Sequence, residues 1–355
     1  MKTNYRIALA GNPNTGKTTL FNALTGLRQH TGNWAGKTVS SAAGIFQHQG
    51  QTYELIDLPG TYSLFPNSTD EEIARDYVVF EQPDLTLVVV DATALQRNFT
   101  LVLQVMEITS NVIVCVNLMD EAEKKGIRIN TQQLTSLLGV PVIGISARNR
   151  TGFPLLLDTI DRMRTNMIEG KALAISYEKK VEEKITLVQS SLLSDGDQKM
   201  PTRWLSVRLI DGDETFVRRI LHANMLPNKL DDVCKKAKEL ATDDVRDSII
   251  QGLYQQTQKL LNRCITYSES DRDRKTEKLD GVFTSKLWGF PIMFAMLAVI
   301  FYVTIAGANV PSSLLARFFG KMESPLTNLF TALHSPEWLH GLLVLGLYRG
   351  VTWVI

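Results

Sequence analysis

The sequence predicts an α/β domain with a parallel β-sheet and helices on both faces, followed by a mainly helical module and a transmembrane region. Over residues 1–165, short apolar segments alternate with helix-length segments, an order typical of parallel sheets covered on both faces. Charged helical periodicity dominates residues 166–270. Residues 287–316 form a run of 30 without a charged side chain, which exceeds the ~20 apolar residues needed to cross a bilayer.

The composition of the 355-residue chain excludes several classes of protein. Lys and Arg number 38 and Asp and Glu number 37, so bulk charge gives no reason to expect a nucleic-acid partner. The three cysteines are widely separated and predict neither a disulfide framework nor a zinc site, which favours a reducing compartment. The five histidines show no metal-ligand spacing.

Strands and helices alternate in the first domain. The predicted strands are 6–10, 53–58, 85–90, 112–117 and 140–145, and the predicted helices between them are 18–27, 71–81, 98–110 and 131–138. The strand segments are continuous β-branched runs, which suit a sheet buried on both faces.

Charged periodic segments make up most of the second module. Helices are predicted at 178–193, 213–224, 230–241 and 245–264, and a short strand at 204–210. The predicted domains are therefore 1–165 (α/β), 166–270 (helical), 271–286 (a polar linker) and 287–355 (the start of a transmembrane domain).

The apolar end of the sequence predicts one membrane span at 287–308, with Trp288 and Tyr302 as interfacial anchors. The alternative is a buried helix of a soluble protein. Residues 339–355 are also apolar, but they include Arg349 and make a poor span. We expect the chain to be a truncated fragment of a longer transporter.

The strongest motif is GNPNTGKT at residues 11–18, which fits G-x-x-x-x-G-K-[ST] between a predicted strand and a predicted helix. Glycines in such a P-loop let backbone N–H groups face an anion, and the helix N-terminus adds positive potential. The side chain of Lys17 can reach the β- and γ-phosphates, and the Thr18 hydroxyl can hold Mg²⁺.

Three later motifs favour GTP over ATP, because each follows a predicted strand in the order typical of GTPases. DLPG at 57–60 supplies a carboxylate near Mg²⁺ and a flexible glycine near the γ-phosphate. In NLMD at 117–120, Asp120 can accept two hydrogen bonds from guanine, whereas adenine has no such donor pair. Ser146 and Ala147 can present a backbone N–H to the guanine oxygen.

The predicted nucleotide contacts combine these motifs. They are Gly11, Asn12, Pro13, Asn14, Thr15, Gly16, Lys17, Thr18, Thr19, Asp57, Leu58, Pro59, Gly60, Asn117, Leu118, Met119, Asp120, Ser146 and Ala147. The predicted magnesium ligands are Thr18, Thr38 and Asp57, and the predicted catalytic residues are Lys17, Asn14 and Thr38. In the loop over residues 30–44, Thr31 is the alternative to Thr38.

Two residues bear on the rate of hydrolysis. Thr61 stands where many GTPases place the glutamine that orients the attacking water, so we expect slow intrinsic turnover. Asn14 is a candidate ligand for K⁺, together with backbone carbonyls near Trp34, and the cation would stabilise phosphoryl charge. The alternative is that Asn14 only caps the loop.

Over residues 1–165 the motif set resembles the translation-factor-like GTPases. Over nearly its whole length the chain also resembles the FeoB ferrous-iron transporter family. The motifs that carry this resemblance are GNPNTGKTTLFNALTG, NWAGKTV, DLPGTYSL, NLMD, RWLSVRLIDGDE and KLDGVFTSKLWGFPIMF. This resemblance implies a cytoplasmic G domain, a regulatory helical domain that slows GDP loss, and a multi-pass domain in a bacterial inner membrane that moves Fe²⁺ inward. It also implies a homo-oligomer and a small accessory protein as partners. Ala35 and Lys37 depart from the residues usual in the family.

Two other functions stay open at the level of sequence. One is a soluble assembly or translation GTPase, and the other is a membrane-tethered GTPase that signals without transport. Some members of the resembled family are suspected of preferring manganese, so Fe²⁺ as the transported ion is an inference from the resemblance.

Overall fold

The computed structural model describes residues 5–26, 29–34, 40–65, 68–193, 200–213, 216–217, 219–220, 230–268, 283, 285 and 289–354. The chain divides into two compact units, Met1–Ser268 and Glu269–Ile355.

The first unit contains both the α/β and the helical parts. Its strands are β1 (Tyr5–Gly11), β2 (Gln29–Asn33), β3 (Ser40–His48), β4 (Gln51–Asp57), β5 (Leu85–Asp91), β6 (Val112–Asn117), β7 (Ile127–Ile129), β8 (Val142–Gly144) and β9 (Ile265–Tyr267). Its helices are α1 (Lys17–Thr25), α2 (Thr69–Asp76), α3 (Leu95–Ile108), α4 (Met119–Lys124), α5 (Thr131–Leu138), α6 (Phe153–Arg164), α7 (Lys179–Leu193), α8 (Thr202–Asp211), α9 (Leu230–Leu240) and α10 (Asp243–Cys264).

A seven-stranded sheet in the order β2-β3-β4-β1-β5-β6-β8 forms the centre of this unit. The five strands predicted from sequence, now β4, β1, β5, β6 and β8, pair in parallel, which confirms the parallel core. The sheet is mixed, however, because β2 and β3 add an antiparallel edge that the sequence analysis missed. A two-residue turn joins β3 to β4, and both of its residues have positive φ (Gln49 at 48° and Gly50 at 74°), as a tight hairpin requires.

Side chains alternate between two buried layers along each central strand. On β1, Ile7 and Leu9 face the layer that includes α1 and α6, whereas Ala8 and Ala10 face the layer that includes α3 and the helical part. The helical part therefore shares one hydrophobic core with one face of the sheet.

The strand prediction for 204–210 is wrong, because these residues lie in α8. Every residue from Trp204 to Asp211 is buried, so the helix lacks the polar face that would produce a 3.6-residue period. A short apolar run cannot be assigned to strand or helix by periodicity alone. Gly212 ends the helix in the left-handed conformation (φ 77°).

Other helix predictions differ from the structure mainly at their ends. The helix at 131–138 is confirmed with the predicted bounds, and the side chain of Asn130 caps it by accepting a hydrogen bond from the Gln133 N–H at 2.9 Å. The helix predicted at 71–81 is α2 followed by a π-helical turn, Tyr77–Glu81. The prediction at 213–224 lies largely outside the described residues. The small antiparallel sheet of β7 and β9 was not predicted.

The second unit contains one helix that is long and apolar enough to cross a membrane among the residues described. This helix, α11 (Gly289–Ala332), has 44 residues and is much longer than the predicted span. At ~1.5 Å per residue it measures about 66 Å, roughly twice the hydrocarbon thickness of a bilayer. Tyr302 is exposed on it, whereas Trp288 lies outside the described residues.

A shorter helical segment follows in the same unit. It comprises α12 (Glu337–His340), a π-helical stretch (Gly341–Tyr348) and α13 (Arg349–Val354). Arg349 pairs with Glu323 of α11 at 2.9 Å, and the Tyr348 hydroxyl donates to the carbonyl of Phe319 at 2.7 Å.

Candidate functional site

The predicted motifs meet at one edge of the sheet. Parallel pairing brings the carboxyl ends of β1, β4 and β6 together, and these strands end at Gly11, Asp57 and Asn117. This is the edge at which open α/β sheets bind ligands. The loops that follow the three strands carry GNPNTGKT, DLPG and NLMD, and Ser146 and Ala147 follow β8.

The loop between β1 and α1 has a backbone that needs glycine at two places. A Cβ on Gly11 would lie 2.6 Å from the carbonyl oxygen of Val89, and one on Gly16 would lie 2.3 Å from Nδ2 of Asn117. Gly16 also has a φ of 80° at the start of α1. The Thr15 hydroxyl closes the loop by donating to the Asn12 carbonyl at 2.8 Å. The sequence therefore forms a tight cradle with the helix N-terminus at its end.

The side chain of Asn117 joins this cradle to the loop after β8. Its Nδ2 donates to the carbonyl of Thr15 at 2.8 Å, and its Oδ1 accepts from the N–H of Ala147 at 2.9 Å. Asn117 is 1% exposed, so both bonds are shielded from water. A second link is the Met119 N–H, which donates to the Ile145 carbonyl at 3.2 Å.

Lys17 is bound within the site. Its ammonium donates to Oδ1 of Asp57 and to the carbonyl of Leu58, and both side chains are mostly buried. Burial raises the pKa of the Asp57 carboxyl, and the Lys17 ammonium opposes this shift. The pair thus places one positive and one negative group beside the cradle.

Asp120 presents an acceptor without a partner. Its Oδ2 accepts from Nδ2 of Asn149 at 3.0 Å, whereas Oδ1 is buried and has no hydrogen-bond partner among the described residues. The Ser146 hydroxyl is also buried and has no hydrogen-bond partner among these residues. Leaving such atoms unpaired costs ~1–3 kcal/mol each unless a ligand satisfies them. Asn149 was missed by the sequence analysis, and its position three residues beyond Ser146 was the available signal.

The remaining predicted residues divide into three groups. Thr18, Thr19 and Asn14 are exposed at or near the first turn of α1, and Pro13 lies against Gly60. Trp34 packs edge-to-face on Tyr77, with ring centroids 5.4 Å apart, which fits the role of a packing residue. Thr38, Ala35 and Lys37 lie outside the described residues, as does the side chain of Thr31.

Two models of known protein families match this chain. The family model described as "Ferrous iron transport protein B" matches residues 5–160, and the one described as "FeoB cytosolic helical domain" matches residues 177–266. The chain belongs to the FeoB family. The resemblance found from the motifs is thereby confirmed.

Curated relatives include proteins named as Fe(2+) transporters. The chain is 33% identical over 362 residues to the Fe(2+) transporter FeoB of Salmonella typhimurium, covering 98% of this chain and 45% of that protein. It is 32% identical over 371 residues to a Fe(2+) transport protein A/Fe(2+) transporter FeoB fusion protein of Porphyromonas gingivalis, covering 99% of this chain and 42% of that protein. The chain therefore spans less than half the length of these curated relatives.

Solved cytosolic domains share its fold. The cytosolic domain of L. pneumophila FeoB matches with a TM-score of 0.65 and 32% identity, covering 74% of this chain and 99% of the other. A GDP form of the T. maritima FeoB cytosolic domain matches with a TM-score of 0.62 and 31% identity, covering 74% of this chain and 98% of the other.

The packing of Gly16 against Asn117 generates a prediction about stability without any ligand. Gly16→Ala and Gly26→Ala both place a Cβ at positive φ (80° and 62°), at opposite ends of α1, but a Cβ on Gly26 has no atom within 4 Å. Both variants pay ~1–2 kcal/mol of backbone strain. Only Gly16→Ala displaces Asn117, so we expect it to lose about 1–3 kcal/mol more. Urea unfolding of the whole chain in detergent measures the difference, and equal losses would contradict this packing constraint.

Proposed function

We propose that this chain binds GTP and GDP at the carboxyl edge of the sheet and hydrolyses GTP, as the cytosolic and first membrane part of an importer of Fe²⁺. The observation that supports it most is the unpaired buried Oδ1 of Asp120, in a loop that Asn117 ties to the phosphate cradle. An acceptor at that place suits the N1–H and amino group of guanine. The relative from T. maritima was solved in a GDP form and a GMPPNP form.

The proposed roles follow the position of each group. Residues 11–19 bind the phosphates, with Lys17 contacting the β- and γ-phosphates. Residues 57–60 lie beside the γ-phosphate, and residues 117–120 together with 146–147 bind the base. Lys17, Asn14 and Thr38 are the proposed catalytic residues. Slow intrinsic hydrolysis is expected because Thr61 has no side-chain amide to orient a water, and its backbone N–H already donates to the Gly11 carbonyl at 3.2 Å.

A magnesium ion fits the donors available at this edge. The Thr18 hydroxyl is exposed on the first turn of α1, and the Asp57 carboxylate lies beside the cradle, so both are hard oxygen ligands of the kind Mg²⁺ prefers. Burial makes ionisation of Asp57 costly, and a divalent cation would offset that cost. Bound there, the ion would neutralise phosphate charge. Thr38 is the proposed third protein ligand.

The domain boundaries remain a proposal at 1–165, 166–270, 271–286 and 287–355. The proposed helical domain regulates nucleotide release, in keeping with the shared core between α3 and the helical part. The transported ion is inferred from relatives named as Fe(2+) transporters. A membrane location is supported by the single candidate span found among the described residues, and a cytoplasmic first unit by its likeness to cytosolic domains of relatives. The inner membrane of a bacterium is proposed from the family. Further passes, a homo-oligomer and a small accessory protein are proposed from the family alone.

The transport proposal is tested by removing the phosphate-binding ammonium. We expect cells whose own gene carries Lys17→Ala to take up ⁵⁵Fe²⁺ at least about tenfold more slowly than the wild type, because nucleotide binding is lost. Lys179→Ala, which removes an exposed lysine of α7, should leave uptake unchanged. Normal uptake by a Lys17→Ala protein that no longer binds GTP would favour a signalling GTPase instead.

Base selectivity is predicted to depend on Asp120. We expect Asp120→Asn to weaken GTP binding about 100-fold or more and to improve XTP binding, since two hydrogen bonds to an ionised acceptor are exchanged for a mismatched amide. Asp158→Asn removes an exposed carboxylate of α6 and serves as the control. Calorimetry with GTP and XTP gives both constants. Retained GTP preference in Asp120→Asn would rule out this base site.

Potassium stimulation is predicted to depend on Asn14. We expect GTP turnover to be about tenfold faster in KCl than in NaCl, and Asn14→Ala to remove that difference, because the cation would stabilise transition-state charge. Asn111→Ala changes an exposed asparagine on the opposite edge of the sheet and should keep it. If wild-type turnover is equal in the two salts, Asn14 acts only as a loop cap.

A further inference from the structure

Helix α3 holds the segment that follows DLPG. This segment, residues 61–65, is called the switch segment below. Oε1 of Gln104 accepts from the backbone N–H of Leu64 at 2.7 Å, and the Ser63 hydroxyl lies 3.0 Å from Nε2 and 3.2 Å from Oε1 of the same amide. The Ser63 hydroxyl also accepts from the N–H of Phe65 at 3.0 Å. One glutamine thus binds two consecutive residues of the switch segment.

Gln104 places a polar amide at a buried position of α3. It is 3% exposed on a helix whose neighbouring positions are apolar and buried. Burying an amide without hydrogen bonds is unfavourable in proteins, so the bonds to Ser63 and Leu64 are what make glutamine tolerable there. Leucine or methionine would serve the packing of α3 alone equally well.

A second contact from α3 is weaker and gives an internal comparison. Arg97 lies seven residues earlier on the same helix face, and its Nη2 donates to the Tyr62 hydroxyl at 2.9 Å. Tyr62 is 46% exposed, so water competes for this bond. Of the two contacts, the buried one at Gln104 has the greater effect on where the backbone lies.

These contacts fix both ends of a short stretch of backbone. On one side the Thr61 N–H donates to the Gly11 carbonyl at 3.2 Å, and Gly60 packs against Pro13 of the phosphate cradle. On the other side, three residues along the chain, Leu64 is held by Gln104. With both ends held, the peptide of Gly60 has little freedom to move relative to the cradle.

We propose that Gln104 is a positioning residue for GTP hydrolysis, an inference that rests on the proposed function. It acts through the switch segment, by holding the backbone of Gly60 and Thr61 at the distance from the phosphates that the reaction needs. A misplacement of about 1 Å at such a point can cost about 100-fold in rate. Binding of GDP, which lacks the γ-phosphate, does not depend on that backbone and should be insensitive to Gln104.

The experiment compares Gln104→Leu with Gln96→Leu in the whole chain in detergent. Gln96 is a second glutamine of α3, and its Nε2 contacts the hydroxyl of Tyr254 instead. We expect Gln104→Leu to lower kcat for GTP at least tenfold while the Kd for GDP stays within twofold, and Gln96→Leu to match the wild type. A kcat within twofold of the wild type, or a parallel loss of kcat and GDP affinity, overturns the proposal.

Ser63→Ala keeps the test decisive if Gln104→Leu fails to fold, because it removes one partner of the amide without touching the core. We expect a three- to fivefold lower kcat, and a double variant no slower than Gln104→Leu when that variant folds. An unchanged kcat in Ser63→Ala counts against the positioning role. A wild-type chain that binds neither GDP nor GTP defeats the proposed function instead, so the two failures are distinguishable.

Discussion

The bridge made by Asn117 is the interaction on which the rest of the site depends. One buried amide satisfies the Thr15 carbonyl of the phosphate cradle and the Ala147 N–H of the loop after β8, so two loops that are far apart in sequence hold one geometry. The bridge needs space that only a glycine at position 16 leaves. Because both bonds are shielded from water, either loop can move only by breaking them. The side of the site that we propose binds the base therefore has its geometry before any ligand binds.

The phosphate side is organised differently. Lys17 already donates hydrogen bonds to Asp57 and to the Leu58 carbonyl, so a phosphate at the proposed site would have to take this ammonium from groups that bind it. This exchange favours a strongly charged anion, because it offers the ammonium more negative charge than the single carboxylate it replaces. In the proposed complex this exchange would also free Asp57, whose ionisation is disfavoured by burial, to bind the proposed magnesium ion. With the base side fixed, a nucleotide at the proposed site would act mainly through Lys17 and Asp57, while residues 61–65 stay held by Gln104 and the Gly11 carbonyl.

The sequence predicted the parts of this protein that local chemistry determines. Each of the five parallel strands is a continuous apolar run, and the loops after β1, β4, β6 and β8 carry the motif residues. Helix α5 begins after a capping residue, Asn130. The edge strands β2 and β3 lack such a run, and their pairing with β4 depends on a turn. Helix α8 is buried on all sides, so its sequence carries no helical period. Gln104 was missed because its partners, Ser63 and Leu64, lie some forty residues away and no local pattern connects them.

The switch segment also contacts the helical part, and the chemistry of that contact limits how it can move. The guanidinium of Arg208 on α8 lies 3.8 Å from the ring centre of Phe65, and Arg75 at the end of α2 pairs with Asp76 and with Asp213. Arg75 is 1% exposed, so its charge has no access to water. Separating such a buried charge from its partner costs ~3–5 kcal/mol, so the end of α2 and the chain just after α8 are held together. Arg75 lies outside the switch segment, so the contact that couples the segment itself to α8 is the one between Phe65 and Arg208. In the proposed function, any nucleotide-driven shift of the segment would have to move Arg208 or break this contact, which would couple the helical part to the nucleotide.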